Sequence, residues 1–148
     1  MGSPERHGGL VRGSETILLI DDERMILEAA GGLLRRLGYA VLTATNGQEA
    51  VDIAKSYVGD IHLAMLDMRM PVMDGAAAFP LLKEARPQMR IVIWTGYAND
   101  QTTKDLLRRG ADAFLPKPSS ARDISETVRR ALDNPSGSCP SQPKKVSC

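Results

Sequence analysis

Residues 61–75 read IHLAMLDMRMPVMDG. A nearly unbroken apolar run ends on a carboxylate, Asp67, and a turn-rich segment containing Pro71 and Asp74-Gly75 follows at once. A short apolar run bounded by turn residues reads as a strand covered on both faces, the habit of a parallel sheet. A charge at the tip of such a strand is costly unless the tip opens onto a polar site. The location of that tip therefore decides both fold and chemistry.

The same texture recurs. TILLI (16–20), AVLTA (40–44), RIVIW (90–94) and DAFL (112–115) are apolar runs separated by longer segments of helical period, which predicts repeated βα units. Asn46 with Glu49, and Ser120 with Asp123, are spaced as capping boxes at helix starts. Gly38 and Gly110, each just after an arginine pair (Arg35-Arg36, Arg108-Arg109), mark helix stops. The third pair, Arg129-Arg130, is assigned to the end of the last helix in the same way. Two features fit poorly: Gly31-Gly32 falls inside the first helix, where each glycine costs up to about 1 kcal/mol against alanine, and Pro80 falls inside the third, which implies a late start or a bend.

The chain has 148 residues, 43% hydrophobic and 25% charged, enough for one domain with a sizeable core. With 19 Lys and Arg against 18 Asp and Glu, the net charge of +1 gives no global field for nucleic acid or an anionic membrane. No stretch matches the roughly 20 apolar residues of a membrane span, and MGSPERHGG lacks the apolar core of a secretory signal. A soluble, cytoplasmic protein is expected. Composition divides the chain into a flexible N-terminal segment (1–13), a folded domain (14–133) and a disordered C-terminal tail (134–148) that holds both cysteines, Cys139 and Cys148, as surface thiols.

In an open parallel sheet, ligands bind beyond the carboxyl ends of the strands. Asp21-Asp22, Asp67, Thr95 and Lys117 follow the first, third, fourth and fifth apolar runs. Three carboxylates gathered on one edge repel one another unless a cation shares the site. Mg²⁺, a hard ion that takes carboxylate, water and phosphate oxygens, is the natural remedy. Lys117 and Thr95 would then offer a charge and a hydroxyl to an anion beside it, most economically a phosphoryl group. Each residue has a blander reading: Asp21 or Asp22 as a helix cap, Thr95 as a β-former, Lys117 as a solvated lysine, Phe114 as a core aromatic, Trp94 as packing, and Asp74-Gly75 as ordinary turn chemistry. His7 and His62 are isolated and look like neither ligands nor phosphodonors.

Asp21-Asp22, the LDMRMPVMDG segment, Thr95-Gly96 and Lys117-Pro118 together resemble the receiver domain of two-component response regulators, over residues 15 to 133. The resemblance implies a flavodoxin-like, doubly wound α/β fold with a five-stranded parallel sheet in the order 2-1-3-4-5 and five helices. It implies that Asp67 accepts a phosphoryl group from a phosphohistidine of a sensor histidine kinase or histidine phosphotransfer domain. Asp22 and Asp67 would hold Mg²⁺ directly, Asp21 through water, and the backbone carbonyl of Arg69 would complete the set. Lys117 would pair with the acidic cluster and then with the phosphoryl oxygens, and its bond to Pro118 is usually cis in the family. Thr95 and Phe114 would be switch residues, altering the surface of the fourth helix, fifth strand and fifth helix for a downstream partner. Such a domain is no enzyme beyond its own phosphorylation and dephosphorylation.

Gly96 stands where the family commonly has alanine, Ser119 replaces an apolar residue, and Arg69 and Tyr97 flank the mouth through which water approaches. The lead-in RGSETILLIDD resembles that of receivers at the C-terminus of hybrid histidine kinases, so the parent would be such a kinase or a free-standing regulator. A haloacid-dehalogenase-type phosphatase also uses an Asp nucleophile and Mg²⁺, but wants a second Asp two residues on, where Arg69 stands. A phosphorylation-independent binding module of the same fold is the third reading, and the complete acidic cluster with Thr95 and Lys117 argues against it.

Overall fold

The computed structural model describes residues 6–7, 10–96 and 101–134. Tyr97, Cys139 and Cys148 lie outside them, as does the expected tail beyond residue 134. Five parallel strands form one sheet: β1 (Thr16–Ile20), β2 (Ala40–Ala44), β3 (Leu63–Leu66), β4 (Arg90–Thr95) and β5 (Ala113–Pro116). Their spatial order is β2-β1-β3-β4-β5, the expected flavodoxin-like arrangement. Helices α1 (Arg24–Arg36), α2 (Gly47–Ser56), α3 (Gly75–Ala85), α4 (Gln101–Arg108) and α5 (Ala121–Asp133) connect or follow the strands.

The alternation of side chains along each strand sorts the core into two layers. Leu18, Ile20, Ala64, Leu66, Ile91 and Ile93 pack with α2, α3 and α4. Ile17, Leu19, Leu63, Met65, Val92 and Trp94 pack with α1 and α5. Every residue of β3 is buried, which is why that strand reads as apolar without alternation.

Local punctuation follows the expected chemistry with exceptions. Ser120 and Asp123 form a full capping box, whereas Asn46 caps α2 while the Glu49 carboxylate turns back to the Thr45 N–H at 2.6 Å. Gly38 and Gly110 adopt φ of +107° and +117°, left-handed positions that suit glycine. Helix α3 does not start late: Asp74 caps it and Pro80 sits within it on an exposed face. Neither Asp21 nor Asp22 caps α1, whose N-cap is Glu23. Gly31 faces Leu19 and Val41, but a Cβ there would meet only ordinary contacts, with Arg35 Nη1 nearest at 3.4 Å.

Two expectations are corrected. Residues 10–13, placed by composition in a flexible segment, pack on the domain: Val11 is buried, its N–H donates to Ser125 Oγ, and the Gly13 N–H donates to Leu37 O at 2.9 Å. Arg129 does more than complement a helix end, because its guanidinium pairs with Glu15 at 2.7 Å and Asp133 at 2.9 Å. It thereby ties the lead-in to α5, a long-range link that helix periodicity cannot reveal.

Candidate functional site

Sheet register assembles the site. Ile20 lies opposite Leu66, so Asp21 and Asp67 emerge side by side, and the Asp67 N–H donates to Ile20 O at 3.0 Å. Thr95 lies opposite Pro116, and the Lys117 N–H donates to Thr95 O at 2.9 Å, which brings β5's lysine to the same edge. Strand order reverses between β1 and β3, so the crevice at their tips is the switch point at which open α/β sheets bind ligands.

Carboxylate oxygens of Asp21, Asp22 and Asp67 lie within 4.8 Å of one another, the one such acidic group found among the described residues. Asp21 is fully buried, Asp67 nearly so, and Asp22 exposed. Lys117 Nζ hydrogen-bonds Asp21 Oδ2 and lies 3.3 Å from Asp67 Oδ1. Burial pushes the Asp67 carboxyl up to about 6, with Lys117 opposing and the Asp21 and Asp22 charges reinforcing the rise. Burial works against the Lys117 charge, but the bond to Asp21 and the charges of Asp67 and Asp21 outweigh it, so its pKa is raised. A buried carboxylate cluster with one ammonium remains short of positive charge, and an all-oxygen donor set fits a hard divalent cation such as Mg²⁺.

The remaining candidates are placed less centrally. Thr95 is fully buried at the tip of β4, and Gly96 beside it is exposed. Trp94 points to the opposite layer, under Lys117, whose Nζ stands 5.0 Å from the ring centroid. The Lys117–Pro118 peptide is cis. Arg69 is exposed two residues past Asp67. Phe114 is not a core aromatic: on the edge strand β5 it is 40% exposed, beside a hollow lined also by Leu107, Thr127 and Arg130. His62 serves the strand starts, its Nδ1 accepting the Thr16 N–H at 3.0 Å.

Gly75 is the positioning residue that turn chemistry concealed. Its N–H donates to Met68 O at 3.0 Å, and a Cβ there would stand 2.3 Å from the backbone oxygen of Asp67. Only glycine lets the start of α3 close so tightly under the carboxylate. The Asp-Gly pair after a strand is the visible signal, although it does not distinguish a tight packing contact from a turn.

Fold and crevice together define a flavodoxin-like α/β domain with an acidic site at its switch point. The chain belongs to the response regulator receiver domain family, whose model matches residues 17–129. It is 32% identical over 121 residues to the sensor kinase CckA of Brucella abortus (strain 2308), covering 82% of this chain but 13% of that kinase's length. It resembles the CheY-like receiver domain protein of Methanospirillum hungatei JF-1 with 30% identity and a TM-score of 0.76, over 82% of this chain and 95% of that one. A response regulator of Burkholderia pseudomallei, described with a phosphorylated aspartic acid, calcium ion and citrate, is 29% identical with a TM-score of 0.71, over 82% of this chain and 68% of the other. The chain is thus a receiver domain of two-component systems, and no helix of its described residues is long and apolar enough to cross a membrane.

Proposed function

We propose that Asp67 accepts a phosphoryl group from a phosphohistidine of a sensor histidine kinase or histidine phosphotransfer domain, and that the domain works as a switch. The convergence of Asp21, Asp22 and Asp67 within 4.8 Å, with Lys117 apposed, carries this reading. The phosphorylated aspartate of the Burkholderia pseudomallei relative supports it.

An ionised Asp67 oxygen attacks phosphorus, the P–N bond breaks, and the donor imidazole keeps the electron pair and takes up a proton. Asp21, Asp22, Asp67 and the Arg69 carbonyl would hold Mg²⁺, which supplies positive charge to the phosphoryl oxygens. Lys117, close to Asp67, can transfer its hydrogen bonds from carboxylate to phosphoryl oxygen. The Thr95 hydroxyl, at the tip of β4, is a further donor at that edge. A doubly charged group beside Thr95 and Lys117 favours whichever arrangement of β4 and β5 donates more hydrogen bonds to it, with Phe114 turning inward as the visible change. The α4, β5 and α5 surface then presents the output to a downstream protein. The parent chain is read as a hybrid kinase or a free-standing regulator.

Incubation with acetyl phosphate and Mg²⁺ tests the reading. One labile phosphoryl group per chain supports it. Continuous release of phosphate without a stable label points to a phosphatase, and absence of uptake to a phosphorylation-independent module.

A further inference from the structure

The Lys117 ammonium has one neighbour that the acidic crevice does not account for. Its Nζ lies over the Trp94 ring, 5.0 Å from the centroid and inside the reach of about 6 Å at which an aromatic face attracts a cation. Sheet register brings the two together. Trp94 lies opposite Leu115, and the Lys117 N–H donates to Thr95 O, so the lysine stem starts from the strand end where the ring sits.

Tryptophan at this position carries a penalty. The residue is 4% exposed, and its buried indole Nε1–H finds no hydrogen-bond partner among the described residues. Buried donors are almost always paired, and leucine or phenylalanine would bury no donor at all. What tryptophan adds over them is the side-chain ring face that attracts cations most strongly. Lys117 has use for such an anchor, because its four-carbon stem is flexible and its side chain remains 20% exposed, so water competes for the ammonium. Asp21 and Asp67 hold that ammonium in the metal-free chain, but they belong to the same acidic cluster that a divalent cation would draw on. A ring face takes up none of the three N–H donors. It therefore keeps its hold while those donors pass from carboxylate to phosphoryl oxygen.

We propose that Trp94 is a positioning residue for phosphoryl transfer to Asp67, its ring face keeping the Lys117 ammonium in the crevice once the carboxylates are shared with a cation. The consequence for transfer rests on the phosphoacceptor reading, whereas the ring contact is present without it.

Fluorination of the ring tests this on the full chain. Trp94 is the sole tryptophan, so expression in a tryptophan auxotroph supplied with 5-fluoro-, 5,7-difluoro- or 5,6,7-trifluorotryptophan alters this ring alone. Fluorine withdraws electron density from the ring face and nearly keeps its shape. Phosphate uptake from acetyl phosphate at saturating Mg²⁺ should slow stepwise along the series, reaching about threefold to tenfold with the trifluoro ring, as expected for losing most of a partly desolvated cation–π contact. A second measurement needs neither metal nor phosphate. Urea unfolding of the natural and trifluoro proteins, in the wild-type and Lys117→Met backgrounds, closes a double-mutant cycle in which the general effect of fluorine cancels. Trifluoro substitution should lower the folded-to-unfolded ratio about threefold to tenfold more in wild type than in Lys117→Met. A ring that only fills space gives no coupling and an even rate. Absence of coupling, or a rate that is flat across the series in a chain that does take up phosphate, overturns the proposal alone. No uptake by the chain with natural tryptophan overturns the phosphoacceptor reading and this role with it.

Discussion

Lys117 at the tip of β5 holds its Nζ 3.3 Å from Asp67 Oδ1 at the tip of β3, while the same ammonium hydrogen-bonds Asp21. One cation therefore bridges two buried carboxylates contributed by strands far apart in sequence. That bridge offsets part of the repulsion among the carboxylates and leaves the crevice electrically incomplete.

Removing the bridge should expose the repulsion it masks. In metal-free Lys117→Met, the Asp67 carboxyl should titrate above its wild-type value of about 6, since Lys117 is the main influence lowering it. Carbon-13 NMR of the carboxyl resonances measures this. An unchanged or lower midpoint would mean that the ammonium does not govern Asp67.

The raised pKa has a sign for stability. The folded protein keeps the Asp67 proton up to about pH 6 whereas the unfolded chain loses it near 3.8, so metal-free stability falls as pH rises between these values. Asp67→Asn should therefore melt higher than wild type above pH 6, by on the order of 1–3 kcal/mol, and little differently below pH 4. Mg²⁺ should stabilise wild type above pH 6, by about 1.4 kcal/mol at tenfold excess over its dissociation constant, and progressively less in acid. Thermal melts over the pH range, with and without chelator, would contradict this if the variant were less stable at neutral pH.

Two glycines should respond oppositely to alanine. Gly75→Ala puts a methyl 2.3 Å from the Asp67 backbone oxygen and should cost at least about 2 kcal/mol. Gly31→Ala meets no close backbone and should stabilise by about 0.5–1 kcal/mol. Urea unfolding of the pair decides, and a tolerated Gly75→Ala would remove the close approach from the account.

Val72, in the loop between Asp67 and α3, holds φ at 67°, where a β-branched residue is strained. The side chain is 81% exposed, so little packing is lost on replacement. Val72→Gly should stabilise by ~0.5–1 kcal/mol, net of added chain entropy. A drop in melting temperature would refute that.

Much of this was legible from residue pattern. TILLI and AVLTA gave their strands residue for residue, and the placement of Asp21, Asp67, Thr95 and Lys117 after apolar runs put them on one edge, because strand ends in a parallel sheet are aligned. What remained hidden depended on distant contacts. Arg129 reads as a helix-end cation until Glu15 meets it, Phe114 as core until β5 proves an edge, and Gly75 as a turn until α3 closes on Asp67. The Trp94 N–H has no sequence signature, since partnering is set by what surrounds it in space.

The most direct test of the central claim is to phosphorylate the chain with acetyl phosphate and Mg²⁺, reduce the acyl phosphate with borohydride, and locate the product by peptide mass spectrometry. Homoserine at position 67, absent from Asp67→Asn, is the predicted result. Homoserine at position 21 or 22 in the wild-type chain, or none at all, would contradict the account.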